Sequence, residues 1–255
     1  MATLIIPDVH ERLDRLERAL VFARTMRDAV SRIVFLGDWF DAFGPVDLRK
    51  VGQICGWLNA NINGVDGTPF VEMDATDGDH TITRVIPADF LLGNHDCHYF
   101  FHHNGFMCSG YDHRKKDVIQ ANLAQTTMDQ FKVFTKVGPY LCSHAGLHLA
   151  TLGFDKPEVE AGALRTARAG GWDPFWGAGR ARGGNQQIGG PTWLDWGAEF
   201  EHIDDLPQIV GHTNGQHVRS KGNSGQLQSW CLDTALRNCA IVDEETGAIE
   251  IVTCS

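Results

Sequence analysis

Apolar residues alternate between short runs and longer stretches with helical spacing. Residues 3–7 are a compact run, Thr3-Leu4-Ile5-Ile6-Pro7, which reads as a buried strand ending at Asp8 and His10. From Arg12 to Val30, Leu13, Leu16, Leu20, Ala23 and Val30 recur at roughly helical spacing and predict an amphipathic helix. Ile33 to Leu36 predicts a second strand, ending in Gly37-Asp38, and Leu48 to Asn61 a second helix with Val51, Ile54, Cys55 and Leu58 on one face. Residues 62–84 are rich in Gly and Asp around two short β-like runs, which predicts an inserted hairpin or flap. Asp89 to Leu92 then leads into Gly93-Asn94-His95-Asp96.

The second half continues the pattern less regularly. Helices are predicted over 118–131 and 158–169, and strands over 140–143 (ending at His144) and 208–210 (ending near His212). Further strands fall near 216–219, 228–232, 239–243 and 248–252. Between them, 170–198 is Gly-rich and carries Trp172, Trp176, Trp193 and Trp196 with Arg180 and Arg182. Strands alternating with helices, followed by a run of strands, imply an α/β sandwich with a partly antiparallel second sheet. With neither an internal repeat nor a convincing linker, residues 1–255 read as a single domain.

Composition narrows the function classes. The formal charge of −10 and the absence of a Lys/Arg stripe argue against an extended nucleic-acid surface. The short basic cluster Arg114-Lys115-Lys116 reads as a solvated surface. No apolar run is long enough to span a bilayer, and Asp8 and Glu11 interrupt any leader-like pattern, so a cytoplasmic location is expected. The seven cysteines form no Cys-x-x-Cys pair, which weighs against a disulfide framework or zinc knuckle; Cys97 reads as space filling.

Five strand ends carry candidate chemistry: Asp8-Val9-His10, Gly37-Asp38-Trp39-Phe40-Asp41, Gly93-Asn94-His95-Asp96, Ser143-His144-Ala145-Gly146 and Gly211-His212-Thr213. Singly each is ordinary, since Asp8 fits a helix cap and Gly93-Asn94 a turn. Together they gather at the carboxyl ends of strands, where open α/β sheets build ligand sites. Imidazole and carboxylate donors in combination suit Mn, Fe, Zn, Ni or Co, whereas an all-oxygen set favours Mg or Ca.

The ordered blocks resemble the calcineurin-like metallophosphoesterase superfamily, in the form found in phage and bacterial phosphoprotein phosphatases and diadenosine tetraphosphate hydrolases. Leu232-Asp233-Thr234 resembles a further block of those relatives. The resemblance implies a four-layer αββα sandwich with two mixed β-sheets. It also implies a binuclear, metal-dependent phosphatase or phosphodiesterase acting through a metal-bridging hydroxide. Asp8 and His10 would bind the first metal. Asp38 would bridge both through its two oxygens, and Asn94, His144 and His212 would complete the second site. His95 would be the general acid, oriented by Asp41. Two divalent ions are expected, manganese foremost, with Fe, Zn, Ni, Co or Mg as alternatives. The expected partner is a small phosphorylated substrate, a nucleotide or a phosphoprotein.

Three positions depart from the pattern. Asn214 stands where many relatives have a second histidine. Ala42-Phe43-Gly44 and Trp193-Leu194-Asp195 lack the two arginines that grip a phosphomonoester dianion, a role left to Arg12, Arg180 or Arg182. Glu11 replaces a glycine, placing a carboxylate that would repel phosphate unless turned away. Phosphoprotein phosphatases also lack the histidine at Asn214, so that departure points to their branch, whereas the missing arginines weaken a phosphoprotein substrate and favour a diester or another small phosphorylated compound. The other readings are a diadenosine polyphosphate or nucleotide hydrolase, and a catalytically inactive interaction scaffold on the same fold.

Overall fold

The computed structural model describes residues 1–25, 30–62, 69–77 and 80–254. Strand β1 (Ala2–Ile6) shows how the layers form. Leu4 and Ile6 face the core beneath the helices, while Ile5 points into a second core between two sheets. Strand β2 (Val30–Phe35) runs parallel to β1 with the same alternation: Ile33 and Phe35 lie under the helices, and Val34 lies between the sheets. The helix between them, α1 (Leu13–Thr25), buries Leu16, Ala19, Leu20 and Ala23; residues 26–29 lie outside the described ones. Helix α2 (Leu48–Ile62) buries Val51, Ile54, Cys55 and Leu58, the face expected from its periodicity.

Strands β3 (Phe70–Asp77) and β4 (His80–Phe90) pair antiparallel, so the described part of 62–84 is a hairpin. Its second strand runs on to Phe90 parallel to β2, inside a sheet completed by β10 (Asn238–Asp243) and β11 (Ile249–Thr253). The six strands lie in the order β11-β10-β1-β2-β4-β3. A five-stranded sheet faces them in the order β5-β6-β7-β9-β8, from β5 (Thr135–Val137), β6 (Tyr140–Cys142), β7 (Gln208–Val210), β8 (Arg219–Lys221) and β9 (Ser229–Cys231). Both sheets mix parallel and antiparallel pairs, as the α/β sandwich requires. Ile5, Val34, Leu36, Leu91, Ile209 and Leu232 fill the space between them. Leu194, Trp196 and Phe200 cover the far side of the second sheet against Val210 and Cys231.

Two helices depart from the periodicity. Helix α3 (Asn94–Phe100), which the apolar spacing did not mark, begins at the Gly93-Asn94 block. The helix predicted over 118–131 is instead α4 (His113–Asn122), capped by the Asp112 side chain on Arg114 N, followed by the short α5 (Gln125–Met128). A true cap at Asp112 outweighs the apolar spacing further along. Helix α6 (Pro157–Arg168) follows the prediction closely, with Pro157 in its first turn. Among the described residues, no helix is long and apolar enough to cross a membrane.

Candidate metal centre

The five strand-end loops meet at one edge of the sandwich and are tied to one another through backbone. Val9 N and His10 N both donate to Asp38 O (3.0 and 2.7 Å), and Gly211 N donates to His144 O (2.8 Å). Such tight turns demand unusual backbone. Among the described residues, the non-glycine positive φ angles belong to His10, Glu11, Asp38, Asp41 and His212, and to Ala235 and Leu236 just after Asp233. Strained conformations of this kind persist where the surrounding structure fixes them, and they concentrate at functional sites. Two glycines permit the closest approach: a Cβ on Gly37 would lie 2.5 Å from Gly93 N, and one on Gly93 would lie 2.0 Å from Asp38 Oδ1.

All six expected ligands converge. Asp8, His10 and Asp38 present three potential donor atoms within 4.8 Å of one another, and so do Asp38, His144 and His212. The two groups share Asp38. Its Oδ2 lies 3.7 Å from His10 Nε2 and 3.4 Å from His144 Nε2. Asn94 Oδ1 joins the second group, 3.0 Å from His144 Nε2, and His212 Nδ1 lies 3.1 Å from the same nitrogen. Of the two Asp38 oxygens, Oδ2 is the one near both His10 Nε2 and His144 Nε2, while Oδ1 accepts the His95 backbone N–H at 2.9 Å.

The residues fit divalent cations. His10 donates Nδ1–H to Phe40 O and His144 donates Nδ1–H to Leu36 O, each at 2.9 Å. Carbonyls can only accept, so both rings carry a proton on Nδ1 and turn Nε2 toward the centre. His212 Nε2 is buried without a hydrogen-bond partner. Burial pushes the Asp8 carboxyl well above the usual range, with the Asp233 and Asp38 charges adding to it. Burial likewise pushes the His212 imidazole well below its usual value, with His144 adding to it. Burial lowers the His144 pKa, but the Asp38 charge outweighs it and leaves His144 at about 9, so cations at this buried donor set would displace its proton.

Next to this cage, His95 Nδ1 pairs with Asp41 Oδ2 at 2.9 Å. Burial lowers the His95 pKa, but the Asp38 charge and the Asp41 hydrogen bond outweigh it, leaving His95 at about 11. Cations beside Asp38 would offset part of that rise. Asp41 is itself held by Tyr99 Oη (2.6 Å) and Lys115 Nζ (3.0 Å). Burial pushes its carboxyl up, yet the His95 hydrogen bond and the adjacent His98 imidazole hold it well below the usual range.

Several of these partners were invisible in the sequence. Lys115, read as solvated, is buried and donates to Glu11 Oε1 at 2.7 Å, and Asp41 N donates to the same oxygen at 2.9 Å. The Glu11 carboxylate is therefore turned into a buried ion pair. His98 is buried with Nε2 2.8 Å from Asp41 Oδ2, close enough for an ion pair but poorly aligned for a hydrogen bond. Its spacing of three from His95 was the available signal, given a helix. Asp96 accepts from Asp38 N (2.9 Å), Trp39 N (2.8 Å) and Gly93 N (2.9 Å), locking the Asp38 and Gly93 loops together. Burial and the Asp38 charge raise its carboxyl to about 7.

A cavity of about 470 Å³ opens over the cage, lined among others by His10, Asp38, Asn94, His95 and His212. Arg182 and Trp193 reach it from the 170–198 segment. Arg182 Nε lies 2.7 Å from Asp195 Oδ2, and its Nη2 donates to Thr213 Oγ1 at 2.6 Å. Arg12 and Arg180 are not among the described residues lining the cavity; Arg180 is exposed, and Arg12 has one buried, unpartnered nitrogen. Trp176 and Trp196 are core residues. Asn214 donates to Asp233 Oδ1 at 3.1 Å, and both line the cavity.

Two overlapping donor groups and a hydrogen-bonded His–Asp pair thus border one cavity, and comparison with known proteins gives the chain its family. The calcineurin-like phosphoesterase family model matches residues 1–215, and the chain belongs to that family of phosphoester hydrolases. Among solved structures it is similar to a cold-active protein-tyrosine phosphatase of a psychrophile, Shewanella sp.: 15% identity over 99% of this chain and 80% of that one, TM-score 0.56. A second structure titled as a cold-active protein tyrosine phosphatase gives 16% identity over 98% and 78%, with a TM-score of 0.56. At such identities the likeness speaks for the fold alone. No curated protein matches the sequence.

Proposed function

We propose that this chain hydrolyses phosphate mono- or diesters using two divalent cations, manganese foremost, held by Asp8, His10, Asp38, Asn94, His144 and His212. The observation that carries this reading is the pair of donor groups sharing Asp38 beneath the cavity that His95 also lines. Bound there, two cations supply an ionised water at neutral pH and offset charge on the phosphoryl oxygens. The remaining steps belong to the chain. Asp38 Oδ2 faces both groups, while the His95 backbone N–H holds Oδ1 aside. Asp41 keeps His95 Nδ1 occupied, so Nε2 is the nitrogen that gives a proton to the departing oxygen. Arg182, steadied by Asp195, is the cation placed to meet a phosphoryl oxygen. It is a single arginine, which favours diesters and small phosphate compounds over a tightly gripped dianion.

A nucleotide or diadenosine polyphosphate substrate is a second reading, supported by one observation. An adjoining cavity of about 550 Å³ shares Ser109, Arg182 and Trp193 with the first and is walled by Trp172 and His103, whose rings stack at 5.7 Å. The test is turnover by manganese-loaded protein of p-nitrophenyl phosphate, bis-p-nitrophenyl phosphate, diadenosine tetraphosphate and cyclic nucleotides. Hydrolysis of the p-nitrophenyl esters, lost on chelation and restored by Mn²⁺, is expected. Bound metal without turnover of any of the four would favour the inactive scaffold.

A further inference from the structure

Beside the proposed centre lies a third cluster of donor atoms, which shares only His95 with the reaction. His95 and His98 occupy one face of α3, three residues apart, and Cys108 packs against both. Their potential donor atoms all lie within 4.8 Å of one another. Cys108 Sγ is 3.2 Å from His98 Nδ1 and 3.9 Å from His95 Nδ1. A tetrahedral zinc bonded at about 2.3 Å to sulfur and about 2.0 Å to nitrogen holds those donors roughly 3.5 Å apart, so the observed separations bracket the required value. Asp41 Oδ2 sits 2.8 Å from the opposite nitrogen of His98, the carboxylate–histidine placement that orients a metal-binding imidazole.

The cluster is open to solvent through its sulfur. Of the seven cysteines, six are buried and Cys108 alone is not. It lines the wall of the cavity that adjoins the proposed centre. Water from that cavity can fill the fourth coordination position. A thiolate with two imidazoles selects soft or borderline cations such as zinc and cadmium, and discriminates against Mn²⁺ and Mg²⁺.

We propose that His95, His98 and Cys108 form an inhibitory site for zinc or a similarly soft divalent cation, distinct from the two positions that share Asp38. On binding, the Nδ1 lone pairs of both histidines and the Cys108 sulfur bond to the cation, and the protons they carried pass to solvent. The His95–Asp41 hydrogen bond is lost. The proton left on His95 Nε2 then belongs to a neutral, metal-bound imidazole in place of an imidazolium, a much weaker acid. This consequence rests on the acid role given to His95 above; the binding itself does not.

The test therefore reads binding and turnover separately, on manganese-loaded protein. Cadmium titration should give a thiolate-to-cadmium charge-transfer band in the ultraviolet that saturates at one equivalent in the wild type and is missing in Cys108→Ser. Zinc should inhibit hydrolysis of phenyl phosphate, a poor leaving group, more strongly than that of p-nitrophenyl phosphate. Losing even an outer-shell partner typically costs about 10–100-fold in metal affinity, so Cys108→Ser should raise the half-inhibitory zinc concentration by at least about 100-fold. Equal zinc inhibition of wild type and variant, or no Cys108-dependent cadmium band, would overturn the proposal. A normal cadmium band in a protein that hydrolyses nothing would instead uphold the binding site and contradict the phosphoesterase reading.

Discussion

His95 is the residue on which chemistry and geometry meet most closely. Its backbone N–H holds Asp38 Oδ1, its Nδ1 pairs with Asp41, and its ring borders the cavity. His95→Asn keeps the backbone contact, so the variant should retain its metal. It should lose about 10²–10⁴-fold in turnover of esters with poor leaving groups and much less with p-nitrophenyl esters, as steady-state kinetics on both would report. Equal losses on both would remove the acid role. Gly93 gives a second prediction, because a Cβ there would collide with Asp38 Oδ1 and Asp38 N. Gly93→Ala should displace the shared carboxylate and lower both manganese content and activity, measured by metal analysis of the purified variant. At this scale the convergence of the strand-end donor residues was legible because motif order marks them. The turning away of Glu11 was not, since its partner Lys115 is 104 residues distant and nothing local marks that lysine as buried.

Among the elements, strands were easier to read than helices around the site. Buried runs such as Ile33 to Leu36 end where the chain must turn, and the structure ends β2 at Phe35. Helix α3 escaped notice because it is short and its first turn carries the polar block that also suits a loop. Its placement matters: starting a helix at Asn94 puts Asn94 and His95 toward the cage, with Tyr99 and His98 behind Asp41. Between sheets, Asp89 on β4 accepts from Arg32 Nε (3.1 Å), Lys132 Nζ (2.6 Å) and Thr135 Oγ1 (3.0 Å). Burial raises the Asp89 pKa, but the hydrogen bonds from Lys132 and Arg32 outweigh it, so the folded value lies below the ordinary one. The unfolded chain, with Asp near about 3.9, binds this proton more readily. The contribution is therefore fully present above that pH and lost as pH falls through the folded value. Asp89→Asn should lower the denaturant midpoint at neutral pH, and the gap to wild type should close as the pH falls below about 4. A gap independent of pH would mean that packing, not ionisation, sets the role of Asp89.

Over the whole molecule, the sandwich brings together side chains from residue 8 to residue 212 by letting strands of two sheets end along one edge. That convergence could be anticipated from the order of the motifs, because parallel strands of such folds present their carboxyl ends together. The covering of the second sheet by Trp196 and Phe200, and the delivery of Arg182 and Trp193 from the same irregular segment, could not. Gly-rich sequence leaves the path of that segment to tertiary contacts, so which of the three candidate arginines reaches the cavity could not be read; among the described residues Arg182 lines it. The formal charge of −10 is consistent with the same picture, since Asp8 and Asp38 are buried where bound cations would neutralise them.

The central claim is that two cations lie side by side and share Asp38. Electron paramagnetic resonance of the protein loaded with two equivalents of Mn²⁺ tests it most directly, because a shared carboxylate oxygen couples the two spins. An exchange-coupled signal in the wild type, replaced in Asp38→Asn by the six-line signal of isolated or unbound Mn²⁺, is the predicted result. An uncoupled six-line spectrum in the wild type, or a coupled one that survives Asp38→Asn, would contradict it.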